Sequence, residues 1–169
     1  MAKAAPLVVL VGPPAAGKTR LGKRVSKLLG VEFLDTDALV ACRYGPIPAL
    51  FAAEGEASFR EKERAAVVEA LDTTGVVALG GGAVINPDTR ADLLSHRVAL
   101  VSITAEAVEP RLNSSKRPLL TGGLESWVSL VAARTAWYDE VATATFDTST
   151  TPLDTVAENI VEWIKSEAV

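Results

Sequence analysis

Leu7-Val8-Val9-Leu10-Val11-Gly12-Pro13-Pro14-Ala15-Ala16-Gly17-Lys18-Thr19 is an unbroken apolar run that empties into a glycine-bounded loop. Apolar residues without alternation suit a strand covered on both faces, as in a parallel sheet. Past the loop, Leu21, Val25, Leu28 and Leu29 recur at helical spacing, and Gly30 can close that helix in a left-handed cap. The loop itself satisfies G-x-x-x-x-G-K-[ST] over 12–19. In that position, backbone N–H groups at the positive end of a helix favour polyanionic phosphate. Lys18 then reaches the β- and γ-phosphates, and Thr19 offers its hydroxyl to Mg²⁺. A chance glycine turn is the competing reading, and the strand before it and helix after it argue against chance. The pattern predicts a nucleoside triphosphate site of the P-loop type.

Reading outward, a second strand over 31–34 ends at Asp35-Thr36-Asp37, and Gly45-Pro46 and Pro48 interrupt the next stretch. A helix is expected over 56–71 and, after a turn at Thr74-Gly75, a strand over 76–79 that stops at Gly80-Gly81-Gly82. Asn86 before Pro87 reads as a helix N-cap with proline in the first position. A buried strand over 98–103, a polar loop over 113–123, a helix over 125–141 and a short strand over 143–146 come next. In the last helix Thr151 is the expected N-cap, Pro152 stands after it, Asp154 completes a capping box, and Leu153, Val156, Ile160 and Ile164 share a face. Strands alternating with helices imply a three-layer α/β/α sandwich around a parallel sheet, with ligands at the carboxyl ends of the strands.

The bulk numbers narrow the partners. A chain of 169 residues, 49% apolar, fits one domain with a sizeable core. A net charge of -4 argues against general nucleic-acid binding, so an anionic ligand must meet local cations. Cys42 is the only cysteine, which excludes an intrachain disulfide and suits a reducing compartment, the cytoplasm by default. The run over 7–11 is too short for a signal core or a membrane span. A small-molecule ligand, no membrane and a monomer are the expectations.

Asp35 and Asp37, two apart on an extended segment, point to one side and can share a metal and substrate site; a turn or helix N-cap is the other reading. Three successive glycines contribute no side chains, so Gly80 to Gly82 suggest close approach of a ligand to backbone, with a flexible connector as the alternative. Arg60, Arg111, Arg117 and Arg134 are the guanidinium candidates for carboxylate or phosphate oxygens. Arg117, after Lys116 in a polar loop, fits a lid. His96 reads as a cap or surface residue, and Trp127, Trp137 and Trp163 as packing.

Taken in order, the loop over 12–19, Asp35-Thr36-Asp37, Gly55-Glu56-x-x-Phe59-Arg60-x-x-Glu63, Gly80-Gly81-Gly82, Arg117-Pro118-Leu119-Leu120 and Arg134 followed by Tyr138 resemble the shikimate kinase family. The resemblance spans almost the whole chain. It implies a three-layer α/β/α P-loop fold with a five-stranded parallel sheet in one domain, 1–169. That domain would carry a shikimate-binding helical segment over 36–64 and a mobile lid over 112–124. The implied reaction is Mg²⁺-dependent transfer of the ATP γ-phosphate to the 3-hydroxyl of shikimate, a step towards chorismate and the aromatic amino acids.

By the same resemblance, Pro14, Ala15, Ala16, Gly17, Lys18, Thr19 and Arg20 bind ATP, with Arg111 and Pro152 at the adenine and Arg117 at the transferring phosphoryl group. Thr19 binds Mg²⁺ and Asp35 supports it through water. Asp37 holds the shikimate hydroxyls and is the candidate base. Arg60 and Arg134 take the carboxylate, Gly80, Gly81 and Gly82 approach the ring, and Glu63 orients Arg60. Phe51, Phe59, Pro14, Pro118 and Leu119 form an apolar wall. The chain departs from the family in having Ala15 in place of a usual glycine, Ala41 in place of an acidic residue, and a slightly shorter lid. A gluconate kinase-like enzyme and a non-catalytic nucleotide-binding module are the rival readings.

Overall fold

The structure, a computed structural model, describes residues 3–113 and 122–167. Among the described residues five strands form one sheet in the order β2-β3-β1-β4-β5, every neighbouring pair parallel. In chain order β1 is Val8–Val11, β2 Phe33–Asp35, β3 Val76–Ala78, β4 Val98–Ser102 and β5 Ala144–Asp147. All four residues of β1 are buried, as an apolar run in a central strand should be. Successive side chains divide between the two faces. Val8 and Leu10 join the core under helices α1 (Lys18–Leu29) and α7 (Leu153–Glu167), while Val9 and Val11 join Val67, Leu93 and Tyr138 on the other side. Helices therefore cover both faces, which is the three-layer architecture expected.

The chain leaves β1 towards β2 but leaves β4 towards β5, so the topological switch point falls between β1 and β4, beside the loop over 12–17. Gly12 begins that loop at φ 147°, and a Cβ there would overlap the Val101 carbonyl oxygen of β4. No side chain fits. Gly30 closes α1 in the left-handed conformation, as expected from the sequence.

Several element bounds differ from the expectation. Strand β2 runs to Asp35, and helix α2 (Thr36–Tyr44) starts at the next residue, so Asp37 sits in a helical first turn and not on an extended segment. Pro48 does not interrupt: it lies in the first turn of α3 (Ile47–Ala70), where its missing N–H costs nothing. That helix breaks instead at Gly55, φ 83°. Val40, Leu50, Phe59 and Ala66 give α2 and α3 a small core of their own.

After β3 come the three glycines, a 3₁₀ turn (Ala83–Ile85) and helix α4 (Pro87–Leu93), where the Asn86 side chain accepts from the Asp88 and Thr89 N–H groups as predicted. Helix α5 (Ala105–Asn113) contains Pro110 and has no counterpart among the expected helices; helix α6 (Leu124–Val141) does. Helix α7 begins at Leu153, later than Thr151 as N-cap requires, and Asp154 is engaged by Arg24 Nε at 2.5 Å. No described helix is long and apolar enough to cross a membrane.

Candidate active site

Backbone direction makes the phosphate loop. Gly17, φ 96°, precedes α1, and Ala15 adopts φ 67°, a left-handed conformation rare outside glycine. Lys18 is buried and donates from Nζ to the carbonyls of Gly12, 2.7 Å, and Pro13, 2.8 Å, across the mouth of the loop. The Thr19 hydroxyl donates to Asp35 Oδ2 at 2.5 Å, while Asp35 Oδ1 accepts from the Ala38 N–H at 3.1 Å. Asp35 thus caps α2 and also reaches the loop, so its structural and functional readings hold together. A hydroxyl beside a carboxylate at a phosphate loop fits Mg²⁺, which takes few protein ligands and keeps waters and phosphate oxygens.

The loop opens into a cleft of about 810 Å³, at the upper end of the usual roughly 300–1,000 Å³ for small-molecule sites. Its nucleotide-loop end is lined by Pro14, Ala15, Gly17, Lys18, Thr19 and Arg20, with Arg111 and Leu153 beside them. Its other end is lined by Asp35, Asp37, Phe51, Phe59, Arg60 and Glu63, by Gly80, Gly81 and Gly82, and by Arg134. Ala16 lies in the core and not on the cleft wall, and exposed Pro152 does not line it; Leu153, which the sequence marks only as a helix-face residue, stands there instead. Arg117, Pro118 and Leu119 lie outside the described residues. His96 is half-buried beyond α4, away from the cleft, and burial lowers its pKa.

The glycine triplet has a geometric reason that the sequence does not reveal. None of the three has positive φ. A Cβ on Gly80 would meet Asp37 Oδ1 at 2.5 Å, one on Gly81 would meet Pro14 Cδ at 3.0 Å, and one on Gly82 would overlap Arg60 Nη1. The missing side chains make room for the site's own groups. Buried Thr36 ties this turn to the Asp-Thr-Asp segment by accepting from the Gly80 N–H at 3.2 Å.

Two guanidinium groups converge on the far end. Arg60 Nη1 donates to Glu63 Oε1 at 2.9 Å and its Nε to Glu56 at 3.3 Å, and the group stands 5.2 Å from the Phe59 ring centroid. Arg134 is buried in α6 and hydrogen-bonded to the Tyr138 hydroxyl, which donates in turn to the Gly81 carbonyl at 2.6 Å. Burial foremost pushes the Tyr138 hydroxyl up to about 12, so it stays protonated. Arg60 Nη2 and Arg134 Nη1 are both buried with no hydrogen-bond partner among the described residues. Buried donors are nearly always satisfied, so two unsatisfied guanidinium nitrogens on residues that line one cleft fit an anionic ligand group. Burial raises Glu63 to about 7, against the opposing pull of Arg60, with Asp37 adding to the rise and Arg134 reducing it.

Known proteins resemble this chain in sequence and in fold. The family model "Shikimate kinase" matches residues 14–165. The shikimate kinase of Thermobifida fusca is 42% identical over 161 residues, covering 93% of this chain and 94% of that protein. The chain belongs to the shikimate kinase family. The structure of shikimate kinase from Acinetobacter baumannii in complex with shikimate superposes with a TM-score of 0.91 at 32% identity, covering 98% of this chain and 96% of that one. A gluconokinase from Sinorhizobium meliloti reaches a TM-score of 0.65 at 16% identity, a likeness of fold alone. Membership in the shikimate kinase family accounts for the order of the motifs along the chain. Two residues at the loop escape sequence reasoning: Thr148, whose hydroxyl donates to the Ala16 carbonyl at 2.8 Å, and Trp127, which reads as packing but donates to the Pro14 carbonyl. No spacing pattern marks either one.

Proposed function

We propose that this chain phosphorylates the 3-hydroxyl of shikimate at the expense of ATP, as one kinase domain with a substrate segment over 36–64 and a lid over 112–124. The observation that supports it most is the pair of buried guanidinium donors without partners among the described residues, Arg60 Nη2 and Arg134 Nη1. They suit a carboxylate-bearing acceptor, and family membership makes that acceptor shikimate.

Lys18 and the loop N–H groups neutralise and orient the phosphates, and Arg117 approaches from the lid. Thr19 and Asp35 would hold Mg²⁺, Asp35 through water, and the bound ion supplies charge neutralisation on the phosphate oxygens. Asp37 positions the acceptor hydroxyl and accepts its proton as phosphate is transferred. Arg60 and Arg134 fix the acceptor's carboxylate. Phe51 and Phe59, with ring centroids 4.9 Å apart, wall off the ring and exclude water that would otherwise hydrolyse ATP. Arg111, which lines the loop end of the cleft with Leu153 beside it, is proposed next to the adenine. We place the protein in the cytoplasm as a monomer.

Coupled ADP-release assays with shikimate, quinate and gluconate test the proposal. Shikimate-dependent ADP release is the expected result; turnover with gluconate and none with shikimate would sink it.

Glu63 makes the acceptor site sensitive to pH. Below about 7 it is neutral, leaving the charges of Arg60 and Arg134 for the incoming carboxylate; above, its own charge competes for Arg60. KM for shikimate should therefore rise from pH 6 to pH 8, both pH values bracketing the pKa of about 7, and Glu63→Gln should flatten the rise. The stability linkage has the same sign. The folded chain holds a proton that the unfolded chain releases near 4.5, so stability from this group falls as pH climbs from about 4.5 to about 7. A pH-independent KM in the wild type would remove Glu63 from this role.

A further inference from the structure

Five successive carbonyls of the phosphate loop each accept a side-chain hydrogen bond. Gly12 and Pro13 receive Lys18 Nζ, Pro14 receives Trp127 Nε1 at 2.9 Å, Ala15 receives Arg111 Nη1 at 3.0 Å, and Ala16 receives the Thr148 hydroxyl. In a trans peptide the carbonyl and the following N–H point in opposite directions. Gly12 and Pro13 are each followed by proline, which has no N–H; each bond that holds the Pro14, Ala15 or Ala16 carbonyl outward aims the next N–H into the loop. Trp127 serves the peptide between Pro14 and Ala15.

That peptide is the one with reason to turn. Ala15 sits at φ 67°, and rotating the peptide by about 180° would carry it to about -113°, a range that L residues adopt freely. The rotation relieves the strain at Ala15 but replaces an N–H with the Pro14 carbonyl inside the loop, where it would repel phosphate. Trp127 is buried in α6 and lines none of the cleft, so it touches no substrate. Its indole N–H is a buried donor whose described partner is this carbonyl.

We infer that Trp127 is a positioning residue for the nucleotide: its indole N–H holds the Pro14–Ala15 peptide in the phosphate-binding orientation against the preference of Ala15. The inference rests on the proposed ATP site. It assigns to α6 a part in both subsites, since Arg134 lies two turns further along the same helix.

Trp127→Phe keeps a ring in the core and removes the donor. Calorimetric titration should show ATP binding weakened about three- to tenfold, the scale of one neutral hydrogen bond, with shikimate binding and the thermal midpoint of the free protein nearly unchanged. Adding Ala15→Gly should restore much of the ATP affinity, because glycine adopts positive φ without strain. A merely structural tryptophan would not respond to that second change. Unchanged ATP affinity in the folded variant, equal losses for ATP and shikimate, or absence of rescue would each overturn the inference. Should the variant fail to fold, the wild-type indole N–H resonance, assigned by subtraction with Trp137→Phe and Trp163→Phe, carries the test. Slow exchange and a shift on adding ATP are expected, and fast exchange or no shift would overturn it. Wild-type protein that fails to bind ATP would overturn the nucleotide reading itself, an outcome distinct from a variant that binds as well as wild type.

Discussion

Asp37→Asn is expected to leave ATP binding intact and to lower kcat by about 10²-fold or more, the usual scale for a positioned general base. The substitution preserves shape. Asn fits over Gly80, where a Cβ would already have met the carboxylate at 2.5 Å, and α2 keeps its cap because Asp35, not Asp37, accepts the Ala38 N–H. What is lost is the negative charge and the capacity to take a proton. Removing an anion from a cleft that binds a triphosphate should, if anything, tighten ATP, so a titration with ATP separates the chemical defect from a binding one. A second readout comes from Glu63, whose pKa the Asp37 charge helps to raise. In the Asn variant the rise of shikimate KM with pH should begin at lower pH. A kcat near that of wild type would remove Asp37 from the proton-accepting role.

The parts of this site legible in the sequence are those where one residue type answers one physical demand. An unbroken apolar run before G-x-x-x-x-G-K-T permits a buried central strand and little else, so β1, the loop and α1 are legible down to the Gly30 cap. The Asn86-Pro87 start of α4 is legible for the same reason. Misreadings arise where a residue type serves two demands. Aspartate at the end of a strand suits both an extended ligand-bearing segment and an N-cap, and the extended reading hides α2. Proline breaks helices in their interior yet is tolerated in the first turn, so Pro48 reads as an interruption where there is none. Pro110 inside α5 is the converse, a helix that tolerates what should break it.

Other features depend on which segments meet in space, and no local pattern carries that. The glycine triplet is legible as a place of close approach, but not that Asp37, Pro14 and Arg60 are what approach. Arg60 and Arg134 are 74 residues apart in number, and their shared cleft comes from α3 and α6 each packing against the 3₁₀ turn that follows the glycine triplet. The family resemblance supplies that pairing; the unpartnered nitrogens give it a physical cause.

Arg134→Ala should raise KM for shikimate by about 10- to 100-fold, corresponding to the roughly 1.5–3 kcal/mol of a charge-assisted hydrogen bond, while KM for ATP holds steady. It is a cleaner test than Arg60→Ala. Arg60 also neutralises Glu63 at 2.9 Å, so its removal leaves a buried carboxyl without its cation, and lost affinity would be mixed with lost stability. Arg134 leaves less behind. Its Nη1 has no partner to orphan among the described residues, and Tyr138, its hydrogen-bonded neighbour, retains the Gly81 carbonyl at 2.6 Å. The thermal midpoint of the free variant should accordingly change little, apart from the side-chain volume removed from α6. Arg134→Lys should recover only part of the affinity, because an ammonium presents a point charge where a planar fork is placed to meet two carboxylate oxygens. Steady-state kinetics with each substrate varied in turn makes the distinction. If KM for ATP rises and KM for shikimate does not, the two open guanidinium donors face the nucleotide, and the acceptor's carboxylate must be sought elsewhere in the cleft.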